Sequence, residues 1–183
     1  MTIDIPGYRA GTWVLDPAHS EVTFSVRHMM ISKVRGTFGV KSATLVAPEN
    51  PLEATVEASV DVTSVDTNDE NRDNHLRSAD FFDVENHPTM EFVSTGARVE
   101  DGDFFVDGDL TIRGITKPVS FAFDFGGFGT DPYGNYKAGA SATTVINRED
   151  FGLTWNAALE TGGVLVGKDI TINLDLQGAL QQD

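Results

Sequence analysis

Apolar and polar residues alternate with a period of two through most of this chain. From Glu21 to His28 the alternation sets Val22, Phe24, Val26 and His28 on one face and Thr23, Ser25 and Arg27 on the other. The same period recurs at Leu52, Ala54, Val56, Ala58, Val60 and Val62, then at Val119, Phe121, Phe123 and Phe125, and again at Ile170, Ile172, Leu174 and Leu176. Successive side chains of a strand point to opposite faces, so each run predicts a wall with one greasy side and one wet side. Strand-like segments fall near residues 12–16, 20–28, 34–47, 52–63, 89–99, 103–113, 117–127, 136–146 and 164–179. Asp101-Gly102 and Arg113-Gly114 predict tight hairpins, and Gly126 to Asn135 a flexible connector. Long strands joined in sequence by tight turns predict an all-β chain, a closed antiparallel barrel of about eight strands without exposed edges.

One segment breaks the alternation. Thr67-Asn68-Asp69-Glu70 fits a capping box and predicts a single inserted helix over about residues 68–79. On such a helix Arg72, His75 and Ala79 share a face, while Leu76, Phe81 and Phe82 supply apolar anchors. A short second helix is predicted at Arg148 to Phe151, and the turn around Pro17, His19 and Ser20 caps the following strand.

The interior decides the function. Ala138, Ala140 and Ala142 alternate on one wall, and Gly108 sits between Val106 and Leu110 on another. Small inward residues opposite phenylalanine-rich walls leave space for a ligand, unless larger side chains interdigitate with them and pack the barrel solid. Both outcomes stay open at this level. If there is a tunnel, Phe24, Val26, Phe38, Phe121, Phe123 and the three alanines are its candidate lining. His28, at the end of an inward column, is either the polar group that fixes a ligand head or a strand-end histidine satisfied by backbone or water. Arg72 and His75 either meet a head group or form a solvated face paired with neighbouring aspartates.

Composition narrows the classes. With 183 residues and 40% hydrophobic residues, the chain is most simply one domain with a substantial core. The absence of cysteine removes disulfides and thiolate chemistry. A net charge of −15 argues against nucleic acid and against adsorption to anionic lipid surfaces. Neither a leader pattern nor a stretch long enough to span a membrane is seen, so a soluble cytoplasmic protein is expected. There is no nucleophile elbow, phosphate loop or zinc-protease motif, and the four histidines lack metal-ligand spacing. An enzyme using His28 and His75 as acid and base, and a filled-barrel interaction module, remain as alternatives to a binding protein.

Four motifs carry a family resemblance. They are Asp16-Pro17-Ala18-His19-Ser20 running through Val22, Phe24, Val26 and His28 to Gly36-Thr37-Phe38, and Asn71-Arg72-Asp73 with His75-Leu76, Ser78 and Asp80-Phe81-Phe82-Asp83. Then come Gly108 with Leu110-Thr111-Ile112-Arg113-Gly114, Thr116 and Pro118-Val119, and finally Asn147-Arg148 with Asp150-Phe151-Gly152. In this order they resemble a YceI-like protein over about residues 12–178. The resemblance implies a lipocalin-like barrel, often homodimeric, that holds a long-chain isoprenoid or related amphiphile without catalysis. A bound polyisoprenoid, quinone-type or fatty-acyl lipid is therefore expected, with no metal or other cofactor. Many relatives are periplasmic. Arg148 and Asp150 are expected to pair and pin the short helix before Trp155.

Overall fold

The structure is a computed structural model that describes residues 4–29, 31–156 and 165–182. It contains β1 (Gly11–Leu15), β2 (Glu21–His28), β3 (Ser32–Ala47), β4 (Thr55–Asp66), α1 (Glu70–Arg77), β5 (Thr89–Glu100), β6 (Asp103–Ile112), β7 (Ile115–Thr130), β8 (Tyr136–Asn147) and β9 (Val166–Leu180). Sequential strands pair antiparallel from β2 to β9, except that α1 intervenes between β4 and β5, and β9 returns to pair with β2. The ring is closed. It has eight positions because β1 and β2 share one: both lie between β3 and β9, with the 3-10 turn Pro17–His19 interrupting them. The run predicted to open at Val164 begins, within the described residues, at Val166.

The two predicted hairpins are tight. Asp101 and Gly102 have φ of 52° and 85°, and Arg113 and Gly114 have 52° and 75°. Two consecutive positive φ values match the right-handed twist of the flanking strands, which is why Asp-Gly and Arg-Gly sit there. Half of the expected connector from Gly126 is strand: β7 runs on to Thr130, and a register shift between Phe125 and Gly127 absorbs the extra glycine. The turn itself is held by Asp131, whose carboxylate accepts from the backbone N–H groups of Asn135 and Tyr133 (both 2.9 Å) and is thereby kept below the usual carboxylate range. Leu52 falls outside β4, in a 3-10 turn over Pro51–Glu53 capped by Asn50.

The helix starts later than the capping box suggests. Thr67 gives both its N–H (2.9 Å) and its hydroxyl (2.5 Å) to the buried Asp73 carboxylate, so it cannot cap, and Asp69 takes that role by accepting from the Arg72 N–H at 3.1 Å. Ala79 lies beyond the end of α1, so it does not complete the Arg72–His75 face. The second helix is a 3-10 turn over Arg148–Phe151.

Strand alternation gives the barrel two unlike ends. At one, the β2–β3 and β6–β7 turns meet α1 and the Arg148–Phe151 turn, and a close-packed core of Phe38, Val62, Val65, Phe81, Ile112, Phe151 and Leu153 plugs the barrel. At the other, the β3–β4, β5–β6 and β7–β8 turns surround the lumen. No helix among the described residues is long and apolar enough to cross a membrane.

Candidate functional site

Inside the barrel, from the middle to the turn-lined end, lie two chambers of about 170 and 130 Å³. They share Leu15, Ala43, Val56, Val106, Phe123 and Leu176, so they form one elongated lumen with a waist. The outer chamber is walled by Trp13, Phe104, Phe125, Phe128, Ala138 and Ala140; the inner one by Val60, Met90, Phe92, Leu110, Phe121 and Ile172.

The space exists because bulky residues are set against small ones across the sheet. Phe123 is the register partner of Ala142, Phe125 of Ala140 and Phe128 of Ala138. The bulge after Phe125 matters here, because it returns Phe128, rather than Gly127, to the inner face. Ring contacts then continue from Phe123 to Phe125 (6.4 Å between centroids), to Phe128 (6.4 Å) and to Tyr136 (6.1 Å), with Trp13 edge-on to Phe128 at 5.9 Å. Gly108 does not add space. A Cβ there would run into the Phe92 ring and lie 2.7 Å from the Val93 carbonyl, so the phenylalanine already fills the gap.

The lining offers almost no free polarity. Tyr8 donates its hydroxyl to the Pro48 carbonyl at 2.6 Å, and Trp13 donates its indole N–H to the Arg9 carbonyl at 3.1 Å. Burial, with Glu49 nearby, pushes the Tyr8 hydroxyl above its ordinary pKa. Glu91 edges the inner chamber, yet its carboxylate is occupied outside the lumen by the hydroxyls of Ser59 (2.9 Å) and Thr89 (2.8 Å). Residues 5–10 cross the outer mouth: Tyr136 donates to the Gly7 carbonyl at 2.5 Å, and Arg9 stacks on the Tyr136 ring at 3.7 Å. An apolar slot with its polar atoms engaged suits a hydrocarbon chain.

The structure divides the residues singled out in the sequence. Phe121, Phe123, Ala138 and Ala140 line the lumen, and Ala142 is buried in the same wall opposite Phe123. Phe24, Val26, His28, Phe38, Arg72 and His75 lie toward the plugged end and line neither chamber. Phe38 packs its ring on Phe24 and Phe82. Arg72 donates to the Thr67 hydroxyl (2.8 Å) and carbonyl (2.7 Å). His75 lies 2.8 Å from Asp80, with its ring edge-on to Phe81 and Trp155. His28, half-buried, faces Ser32 and Val166 in register.

Arg148 does not pair with Asp150. It is 2% exposed and donates to the carbonyls of Gly167 (2.7 Å), Leu153 (2.6 Å), Trp155 (2.9 Å) and Val166 (3.2 Å), while Asp150 stays exposed. Burial lowers the guanidinium's pKa. Four carbonyls at converging positions leave no room for a carboxylate. Among the lining residues missing from the sequence-based set are Trp13, Leu15, Phe104 and Phe128. Trp13 and Leu15 alternate on β1, but a five-residue strand does not tell which face is inward, and Phe128 is hidden by the bulge.

The YceI-like domain family matches residues 13–178. A UPF0312 protein of Staphylococcus epidermidis is 40% identical over 157 residues, covering 85% of this chain and 90% of that protein. Among solved structures, BcnA of Burkholderia cenocepacia superposes with a TM-score of 0.76 at 22% identity, over 89% of this chain and 98% of its own. A polyisoprenoid binding domain from Saccharophagus degradans, implicated in plant cell wall breakdown, gives a TM-score of 0.68 at 13% identity, over 92% of this chain and 98% of its own.

Proposed function

The chain belongs to the YceI-like domain family, and from that premise we propose that it binds one long-chain isoprenoid or related amphiphile, tail inward, in the barrel lumen. The observation that carries this is the pair of connected chambers lined by alternating phenylalanine and alanine. The described structural neighbour from S. degradans, named for polyisoprenoid binding, supports the ligand class. Because the polar atoms of Tyr8 and Trp13 are taken, and the Thr44 hydroxyl on the outer chamber belongs to an exposed residue, a polar head stays at the outer mouth. Each methylene withdrawn from water contributes about 0.8 kcal/mol, so a few buried isoprene units offset the ordering cost of the chain. A dry cavity of about 150 Å³ takes a benzene-sized group. Each chamber is near that size, so a longer chain requires the Phe104, Phe123 and Phe125 rings to swing aside.

The reading is of binding without turnover, as carrier, store or sensor. Its support is that, among the described residues, no ionisable group other than Tyr8 and the outward-turned Glu91 edges the lumen. Chemistry at a bound chain needs a tuned acid, base or nucleophile beside it. Native mass spectrometry after incubation with a prenyl alcohol or a prenyl quinone tests this. The expected result is one lipid per chain, extracted chemically unchanged. Unliganded protein alone, or a lipid recovered cleaved or oxidised, contradicts it.

A further inference from the structure

The acidity of this chain is unevenly distributed. Residues 22–48, which build β2 and β3, contain no Asp or Glu, yet they hold Arg27, Lys33, Arg35 and Lys41, in a chain of net charge −15. The register sets Val26 opposite Val34 and Phe24 opposite Gly36 on the inner face, so Arg27, Lys33 and Arg35 project from the outer face of the β2–β3 hairpin. Arg27 and Lys33 are direct cross-strand partners, and Arg35 follows opposite Ser25. Like charges placed directly opposite are unfavourable in a free hairpin. All three side chains are exposed, and among the described residues none forms an ion pair or a side-chain hydrogen bond. The carboxylates that flank this face, Asp66 on β4 and Asp169 on β9, form no ion pair with them.

The same hairpin ends in exposed hydrocarbon. Ile31 is 85% exposed and Met29 44%. An unneutralised basic face that terminates in an apolar tip is complementary to a surface with anionic head groups above hydrocarbon: cations meet phosphates while the tip enters the acyl boundary.

We propose that the β2–β3 hairpin docks the protein transiently on an anionic phospholipid bilayer. The net charge opposes this at long range, but range decides. At about 0.1 M salt the Debye length is about 10 Å. The carboxylates of the opposite turns, Glu49, Glu100, Asp101, Asp103 and Asp131, are a strand length away, roughly 30 Å at about 3.3 Å per residue. Screening removes those distant carboxylates, so the bilayer meets the charge of this end alone, where the three hairpin cations stand with the carboxylates of α1 and the Arg148–Phe151 turn and the hairpin adds the hydrocarbon tip. Docked by this end, the barrel turns its outer chamber away from the membrane. This inference stands on the hairpin alone and does not depend on lumen occupancy.

Co-sedimentation with phosphatidylglycerol-containing vesicles and with pure phosphatidylcholine vesicles, at about 0.1 M salt where the Debye length is short, tests it. The parent protein should pellet with the anionic vesicles only and be released by molar salt. Neutralising one of the three cations should weaken binding about fivefold. Arg27→Glu/Lys33→Glu/Arg35→Glu should abolish it, and Ile31→Ser should weaken it, while both variants keep parental affinity for a fluorescent prenyl probe. Parent protein that stays in the supernatant, or a triple variant that pellets as well as the parent, overturns the proposal. So does a triple variant whose loss of pelleting coincides with a changed self-association mass, because that assigns the face to a second copy of this chain.

Discussion

Arg148 is a buried cation without a carboxylate. Its guanidinium fork ties the Leu153 and Trp155 carbonyls to those of Val166 and Gly167, and so joins the turn after β8 to the start of β9. Asn156 makes the same link with a two-bond amide clasp on Val166 (2.8 and 3.0 Å). Replacing Arg148 by Met would strand the Leu153, Trp155 and Gly167 carbonyls in a dry site, each costing on the order of 1 kcal/mol or more, while the Val166 carbonyl keeps its bond from Asn156. Urea denaturation should show a loss of roughly 3 kcal/mol, with Arg148→Lys intermediate because an ammonium cannot reproduce the fork. A loss within about 0.5 kcal/mol, the range of ordinary surface substitutions, would mean that the carbonyls find water. Gly108 makes a second residue-scale point. Gly108→Ala should destabilise by about 1–3 kcal/mol, because the Phe92 ring and the Val93 carbonyl must both move. A neutral Gly108→Ala variant would show that the space over Gly108 is softer than the packing indicates.

At the scale of elements, the outer faces of β5, β6 and β7 are joined by a polar row. Asp107 accepts from the Ser120 hydroxyl (2.5 Å) and from Arg98 (2.9 Å), and Arg98 also pairs with Glu100. These partners, Ser120 first and Arg98 after it, hold the Asp107 carboxyl below the usual aspartate range. The sign follows from linkage: the stabilisation is complete above the unfolded value of about 3.9 and is lost as pH falls through the lower folded value. Asp107→Asn should therefore cost up to about 1 kcal/mol at neutral pH, as exposed pairs do, and nothing once the carboxylate is protonated. A cost that persists unchanged in acid would place the effect in packing instead. The elements themselves were legible from sequence wherever the period of two runs unbroken, as at Glu21–His28 or Ile170–Leu176. What escaped were the places where a side chain rewrites the local rule. Asp73 takes Thr67 out of the helix cap, the bulge at Phe125 brings Phe128 inward, and Arg148 prefers carbonyls to Asp150. The site was half legible for the same reason. Alternation marks Phe121, Phe123, Ala138 and Ala140 as inward, but inwardness does not say which end of the barrel is plugged.

For the whole molecule, the two ends divide the labour. The helix-capped end is filled by Phe38, Phe81, Phe151 and Leu153, and the opposite half keeps the lumen. A substitution at the plugged end that spares the core, such as His75→Gln, should leave the affinity for a prenyl probe unchanged in a fluorescence titration. A tenfold loss there would extend the binding site past the plug. The central claim is that the lumen between the phenylalanine and alanine walls holds the ligand's tail. Its most direct test is the affinity of the parent and of Ala140→Trp for one fluorescent prenyl probe, with circular dichroism confirming an intact sheet. An indole at Ala140, facing Phe125 across the strand pair, fills the outer chamber. The account predicts that the variant stays folded and loses at least tenfold in affinity. Equal affinity of the folded variant and its parent would place the ligand elsewhere and contradict the account.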